Sequence, residues 1–316
     1  MAVILQVALD FVDLHRAVKV ADEAIEGGAD WLEIGTPLIK SEGMNAIRHL
    51  RKVFPGVTLL ADMKTMDAGR AEMEMAAKAG ANIAVVMGDA PDSTIKECIQ
   101  AGKNYGIKVC VDFINSSKVE ERVADIEKWG ADYIAVHTAI DDQMHGKTPF
   151  STLQRICSKV KIPVAVAGGI NSENVIDAVN AGASIVIVGG YISKSKDAKI
   201  AAESIKTAIK ENKRVGTTLF KRVTCEGIRE ALTKLSTANI SDGGHRAESI
   251  TGLYPIYQNI KLIGNAVTVR TFPGDWAKPV EAIDIAKEGD VIVIDAGGVG
   301  PAIWGELATH SALQKK

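Results

Sequence analysis

Asp62-Met63-Lys64-Thr65-Met66-Asp67 puts two carboxylates and an ammonium into one short stretch. In an extended segment, residues two apart point to the same side, so Asp62 and Lys64 are expected to act together, with Asp67 in the loop beyond. Such a cluster can hold a metal, set an ammonium beside a developing oxyanion, and order substrate hydroxyls. A structural ion-pair network is the plainer reading. Glu33 can complete an all-oxygen Mg²⁺ site with Asp62 and substrate oxygens. His137, closing the run Ala135-Val136-His137, is read as a proton-transfer group. Gly168-Gly169 and Gly189-Gly190 are read as a phosphate cradle, since backbone N–H groups approach a phosphate only where no Cβ intrudes. Tight turns also use glycine, so a single pair would say little.

These residues need a scaffold, and the chain announces one by repetition. Gly28-Ala29-Asp30, Gly80-Ala81-Asn82, Gly130-Ala131-Asp132 and Gly182-Ala183-Ser184 each precede a short apolar run, at spacings of 52, 50 and 52 residues. A second set of runs interleaves: Val3 to Asp10, Val57 to Asp62, Ile107 to Asp112 and Ile162 to Gly168. Asp10, Asp62 and Asp112 are again 52 and 50 apart. Between the runs lie helical stretches such as His15–Glu26, Met44–Val53, Gly69–Ala79, Ser93–Tyr105 and Ser172–Ala181. Short Val/Ile-rich runs alternating with helices predict parallel strands with right-handed crossovers. Four copies of a two-unit repeat predict an α/β fold, a closed (β/α)8 TIM barrel over residues 1–212 ending after a helix Ala198–Glu211. An open doubly wound sheet is the competing reading, but it need not repeat so evenly. In a barrel the active groups gather at the C-terminal strand ends, here Asp10, Glu33, Asp62, Asp112, His137 and the two glycine pairs.

Bulk properties exclude several classes. Net charge is −2 with 24% charged residues, which points to neither a nucleic-acid binder nor an acidic tail. Hydrophobic residues make up 47% but aromatics only 5%, so Ala, Val, Ile and Leu carry the core, as in buried parallel strands. Cys98, Cys110, Cys157 and Cys225 form no CxxC pair and read as reduced thiols. The start, MAVILQVALDF, has no basic region and meets an acid at Asp10, so a strand is expected rather than a signal peptide. No apolar run is long enough for a membrane span, and a cytoplasmic protein is expected.

Together these residues resemble the orotidine 5′-monophosphate decarboxylase suprafamily over about residues 1–210. The mark is D-x-K-x-x-D at the third strand, here Asp62, Lys64 and Asp67. Leu9-Asp10, Glu33-Ile34-Gly35-Thr36-Pro37 and His137-Thr138-x-x-Asp141-x-Gln143 are similar to the branch of hexulose-phosphate synthases and 3-keto-L-gulonate-6-phosphate decarboxylases. The longer orotidylate decarboxylase pattern fails at Ala68. Decarboxylases of the branch carry Gly-Arg after strand 8 and an Arg soon after the strand 6 His; this chain has Gly189-Gly190 and Thr138-Ala139-Ile140, which favours the synthases. Ala139 departs from the synthases, where Gly is common. The resemblance implies a reversible, Mg²⁺-dependent joining of formaldehyde and D-ribulose 5-phosphate to D-arabino-hex-3-ulose 6-phosphate, with decarboxylation of a keto sugar acid phosphate as the alternative. It implies Glu33 and Asp62 as metal ligands, Lys64 as enediolate stabiliser and His137 as the group moving the C1 proton. Asp10 and Asp67 would bind hydroxyls or support Lys64. It also implies a homodimer in which Asp67 serves the neighbouring subunit.

Residues 213–316 read as a smaller, incomplete α/β domain. A helix is expected over Thr218–Leu235, a strand-like stretch over Lys261–Thr271 and a helix near Val280–Lys287, followed by Asp290-Val-Ile-Val-Ile-Asp295. Thr237-Ala-Asn-Ile-Ser-Asp242, Gly289-Asp-Val-Ile-Val-Ile-Asp295 and Trp304-Gly-Glu-Leu307 resemble the family of the regulator of ribonuclease activity A and the 4-hydroxy-4-methyl-2-oxoglutarate aldolases. Aldolases of that family carry an Arg-Asp pair on a later strand, which does not occur before Lys316. No active site is expected here; a binding, oligomerisation or regulatory module is.

Overall fold

The computed structural model describes residues 3–114, 116–139, 148–217, 223, 227–258 and 260–315. Asp141, Gln143, His145, Cys225 and the start of the helix expected at Thr218 lie outside the described residues. The chain divides into two compact units, Met1–Arg222 and Val223–Lys316.

The first unit is the expected barrel. Its strands are β1 (Ile4–Leu9), β2 (Trp31–Ile34), β3 (Thr58–Thr65), β4 (Ile83–Met87), β5 (Lys108–Asp112), β6 (Tyr133–His137), β7 (Val164–Ala167) and β8 (Ile185–Val188). Each pairs in parallel with the next, and β8 closes on β1. Helices follow the strands, among them Leu14–Glu26, Gly69–Ala79, Asp92–Tyr105, Val119–Trp129 and Ala198–Glu211.

The repeated Gly-Ala-Asx is the joint that builds this ring. The glycines take left-handed backbones, with φ of 93° at Gly28, 102° at Gly80, 101° at Gly130 and 103° at Gly182, so each helix can stop and turn back. The third residue then staples the new strand to the preceding one. Asp30, Asn82 and Asp132 accept the backbone N–H of Leu5, Leu59 and Val109 at 2.7, 2.9 and 2.9 Å. Their own N–H groups donate to the carbonyls of those same residues.

Alternation along each strand splits the apolar residues into two cores. One lies between strands and helices and includes Leu5, Val7, Leu9, Leu32, Ile34, Leu59 and Val86. The other fills the barrel interior with Leu60, Ile83, Val85, Cys110, Tyr133, Ala135, Ala165 and Ile185. Gln6, Ala8 and Asp10, Leu60 and Asp62, Cys110 and Asp112, and Ala135 and His137 therefore share the inward parity of their strands.

Two expectations need correction. The third strand runs past Asp62 to Thr65, but not as regular extended chain. Its register against β4 shifts between Ala61 and Thr65, and Lys64 has φ of 46°. Asp62 and Lys64 thus converge through a bulge with a left-handed residue, not through simple alternation. The helix expected from Ser172 begins at Val175. Asn171 Oδ1 takes the N–H groups of Glu173 and Asn174, at 2.9 and 3.2 Å, and this local turn holds off the helix.

In the second unit, β9 (Ala266–Arg270) and β10 (Val291–Asp295) form a parallel pair. Around it lie helices Ile228–Lys234, Thr237–Gly243, Ala277–Ile285 and Glu306–Lys315. The strand expected within Lys261–Thr271 is confined to its second half. The stretch Tyr254, Ile256 and Tyr257 is exposed. Among the described residues, Cys98, Cys110 and Cys157 are free, and no helix is long and apolar enough to cross a membrane.

Candidate active site

The C-terminal strand ends open into a cavity of about 590 Å³. Asp10, Glu33, Asp62, Lys64, Asp112, His137, Gly168, Gly169, Gly189 and Gly190 all line it. Its size is in the range of small-molecule sites. Nine of the ten site positions read from the sequence thus meet in one place, joined by Asp112. Asp67 does not: it is exposed, and its carboxylate accepts the backbone N–H of Ala68 at 2.7 Å.

Lys64 is the hub. Its ammonium lies 3.0 Å from Asp62 Oδ2 and 3.3 Å from Asp112 Oδ2. The second acid holding Lys64 is therefore Asp112, from β5, and not Asp67 as its nearness in sequence suggests. Burial works against the charged lysine, but Asp62 and Asp112 more than offset it, so the amine holds its proton more tightly than usual. A protonated lysine polarises a carbonyl or steadies an oxyanion; it does not attack one.

Asp112 also faces His137, whose Nδ1 lies 3.5 Å from the same Oδ2. Burial alone would raise the Asp112 carboxyl. The contact with His137 and the charges of His137 and Lys64 bring it below the usual range instead. With Nδ1 turned to Asp112, the His137 Nε2 is the nitrogen left for a ligand. Asp112 Oδ1 is buried and accepts no hydrogen bond among the described residues.

Glu33 and Asp62 sit on neighbouring strands, 9% and 5% exposed. Gln6 Nε2 donates to Glu33 Oε2 at 2.6 Å, and Thr36 Oγ1 donates to Asp62 Oδ2 at 2.7 Å. Burial first, then the charges of Asp62 and Asp10, push the Glu33 carboxyl well above the usual carboxylate range. Asp10 rises for the same two reasons, burial and Asp62. Solvent reaches Asp10 at the barrel mouth, so its rise carries less weight than that of Glu33. A cavity with four carboxylates and two lysines carries excess negative charge that a hard divalent cation would relieve. No cluster of three or more His, Cys, Asp or Glu with metal-binding geometry occurs among the described residues. Mg²⁺ commonly uses only one or two carboxylates and takes its other oxygens from water and substrate, so Glu33 and Asp62 fit that ion.

Gln6, Thr36, Gly35 and Lys194 were not assigned to the site from the sequence, and Asp112 was placed at the strand ends without a role. Gln6 had a signal, as a polar residue in an otherwise apolar strand. Asp112 had one too, as the third member of the series Asp10, Asp62, Asp112. Gly35 shows itself only in space: a Cβ there would lie 2.2 Å from Asp10 Oδ1.

The closed (β/α)8 barrel thus carries a lysine–carboxylate network at the C-terminal ends of its strands. Residues 4–205 match the model of the orotidine 5′-phosphate decarboxylase / HUMPS family, and the chain belongs to that family. Residues 237–316 match the Aldolase/RraA model. The first unit is 39% identical over 206 residues to a 3-hexulose-6-phosphate synthase of Bacillus subtilis, covering 65% of this chain and 98% of that protein. A second such synthase, from Staphylococcus saprophyticus, is 37% identical over 206 residues, covering 65% of this chain and 96% of its own. The crystal structure of 3-hexulose-6-phosphate synthase from Salmonella typhimurium superimposes with a TM-score of 0.63 at 36% identity, covering 66% of this chain and 98% of that one. A 3-keto-L-gulonate-6-phosphate decarboxylase from Vibrio cholerae shares the fold at 24% identity and a TM-score of 0.59, covering 67% of this chain and 99% of that one.

Proposed function

We propose that the barrel is a cytoplasmic aldehyde-lyase that joins formaldehyde and D-ribulose 5-phosphate to D-arabino-hex-3-ulose 6-phosphate, reversibly. The observation that carries this reading is the Lys64 ammonium held between Asp62 and Asp112 beside His137. The greater identity to the synthases than to the decarboxylases supports it over decarboxylation.

His137 takes the proton from C1 of the ribulose phosphate. The electron pair left behind moves onto the C2 oxygen, giving an enediolate. Lys64 stands beside that oxygen with a fixed positive charge and no need to reorganise. C1 then adds to the formaldehyde carbon, and the aldehyde oxygen takes up a proton, for which protonated His137 is the donor. Glu33 and Asp62 would hold Mg²⁺, which supplies further positive charge for the enediolate oxygens. Asp10 orders substrate hydroxyls, and the pairs Gly168-Gly169 and Gly189-Gly190 present backbone N–H groups to the phosphate. Asp67, exposed and outside its own cavity, is assigned to the cavity of the second subunit of a homodimer. Residues 213–316 are assigned no active site and are read as a binding or regulatory module.

The test is to incubate the protein with Mg²⁺, ribulose 5-phosphate and formaldehyde and follow formaldehyde. Loss of formaldehyde dependent on the sugar phosphate and on metal is expected. No loss, together with release of carbon dioxide from a keto sugar acid phosphate, would replace this reading with the decarboxylase.

A further inference from the structure

The two glycine pairs are linked to each other and to a third piece of chain. Ser172 comes three residues after Gly169, and Tyr191 directly follows Gly190. Both are buried, at 0% and 4% exposure. Their hydroxyl oxygens lie 3.0 Å apart, so the loop after β7 and the loop after β8 are cross-braced. Asn174 Nδ2 fixes the first loop further by donating to the Gly169 carbonyl at 2.9 Å. The Tyr191 hydroxyl is anchored on its other side, 3.1 Å from Ser204 Oγ on the last barrel helix, Ala198–Glu211.

The remaining anchor comes from beyond that helix. Ser172 Oγ donates to the Val215 carbonyl at 2.8 Å, and the Val215 N–H donates to the Ser172 carbonyl at 3.0 Å. A serine hydroxyl has one proton. With that proton on Val215, Ser172 can only accept from Tyr191, so the donors run one way, from Tyr191 through Ser172 to Val215. On either side, Arg214 pairs with Asp177 at 2.8 Å and the Thr217 N–H donates to Glu173 at 3.3 Å. The Val215 side chain packs against the core between strands and helices. The family match ends at residue 205, so residues 214–217 lie past the part of the barrel it covers.

We propose that residues 214–217 are a strap that holds the two glycine loops against each other through Ser172 and Tyr191, and so sets the affinity of the cavity for a phosphate. The effect on ligands rests on reading the glycine pairs as the phosphate cradle; the clamp itself does not. Val215, Ser172 and Tyr191 are positioning residues, which keep backbone N–H groups in place before a ligand arrives.

The test uses the full chain with Val215→Pro, which removes the N–H given to Ser172. Amide hydrogen exchange without ligand reads the clamp. Exchange should rise severalfold in both 168–174 and 189–193, and no rise in 189–193 overturns the proposal. Calorimetry with inorganic phosphate and with ribulose 5-phosphate reads the consequence. Both should bind roughly twofold to tenfold more weakly, the worth of one neutral hydrogen bond. In turnover the loss should appear in KM for ribulose 5-phosphate with kcat nearly unchanged, since the phosphate is the non-reacting end. A fall in kcat at constant KM overturns the positioning role. Val215→Ile keeps both backbone bonds and should bind as the unaltered chain does; an equal loss there overturns the strap. Tyr191→Phe should weaken binding too, and its effect should not add to that of Val215→Pro; full additivity overturns the route through Tyr191. If exchange responds as expected but the unaltered chain binds neither phosphate nor ribulose 5-phosphate, the sugar-phosphate reading fails and the clamp stands.

Discussion

Lys64 and Glu33 line the same cavity and respond to burial in opposite ways. Lys64 is compensated by Asp62 and Asp112; for Glu33, Gln6 and the Lys64 charge do not outweigh burial and the neighbouring carboxylates. Replacing Lys64 by Gln should cost about a hundredfold to a thousandfold in kcat, the typical loss when one preorganised oxyanion partner is removed. Steady-state kinetics checks this, and a change confined to KM would show that Lys64 only binds. For Glu33 the sign runs the other way from the usual carboxylate. Its folded pKa lies above the unfolded value of about 4.3, so the folded state binds the proton more readily. Its contribution to stability is therefore lost as pH rises from that unfolded value towards the folded one. Glu33→Gln should raise the melting temperature in metal-free buffer at neutral pH, flatten that part of the pH dependence, and abolish stabilisation by Mg²⁺. A lower melting temperature at neutral pH would contradict an under-compensated charge. Gly35 offers a steric test. Ala at this position puts a Cβ against the Asp10 carboxylate and should displace it, lowering kcat/KM by roughly tenfold or more, as small misplacements in active sites do.

At the scale of elements, β3 and the turn after it are the strained part of the barrel. Lys64 and Ala68 both have positive φ, 46° and 53°, and neither is glycine. At Lys64 the bulge aims the ammonium inward, so the strain accompanies the chemistry. Ala68 is exposed at the start of the helix Gly69–Ala79, and its backbone N–H donates to the Asp67 carboxylate. Ala68→Gly should therefore stabilise the protein by about 1 kcal/mol, the left-handed penalty less part of the entropy that glycine adds to the unfolded chain. Denaturant titration reads this out; a destabilised variant would mean that the turn is set by Asp67 and not by the backbone of Ala68.

At the scale of the whole molecule, the barrel should stand alone. The synthases it resembles are covered almost end to end by its first 206 aligned residues. The stretch after the last barrel helix is tied down by Arg214 on Asp177, by Val215 exchanging hydrogen bonds with the buried Ser172 through its N–H and carbonyl, and by the Thr217 N–H on Glu173. A chain of residues 1–217 keeps those ties. It should unfold cooperatively and retain formaldehyde-consuming activity within about twofold of the full chain, as an independent domain does. A large loss would give residues 213–316 a part in the barrel's chemistry.

By itself the sequence determined the barrel, its strand order and most of the cavity wall. Those follow from short-range rules: a left-handed glycine turns the chain back before β2, β4, β6 and β8, Asx staples the first three of these to the preceding strand, and alternation sends Asp10, Glu33, Asp62 and His137 inward. In the second unit it pointed to one strand-like stretch, Lys261–Thr271, of which Ala266–Arg270 is strand. Only the tertiary structure decided which acids act on which bases. Asp112 holds Lys64 across 48 residues of chain, and Gln6 holds Glu33 across 27. Such pairings depend on the register between adjacent strands and on the closure of β8 onto β1, and residue spacing carries neither. The bulge at Lys64 was hidden for the same reason, because it is imposed by the pairing with β4 and by the carboxylates that the ammonium must reach.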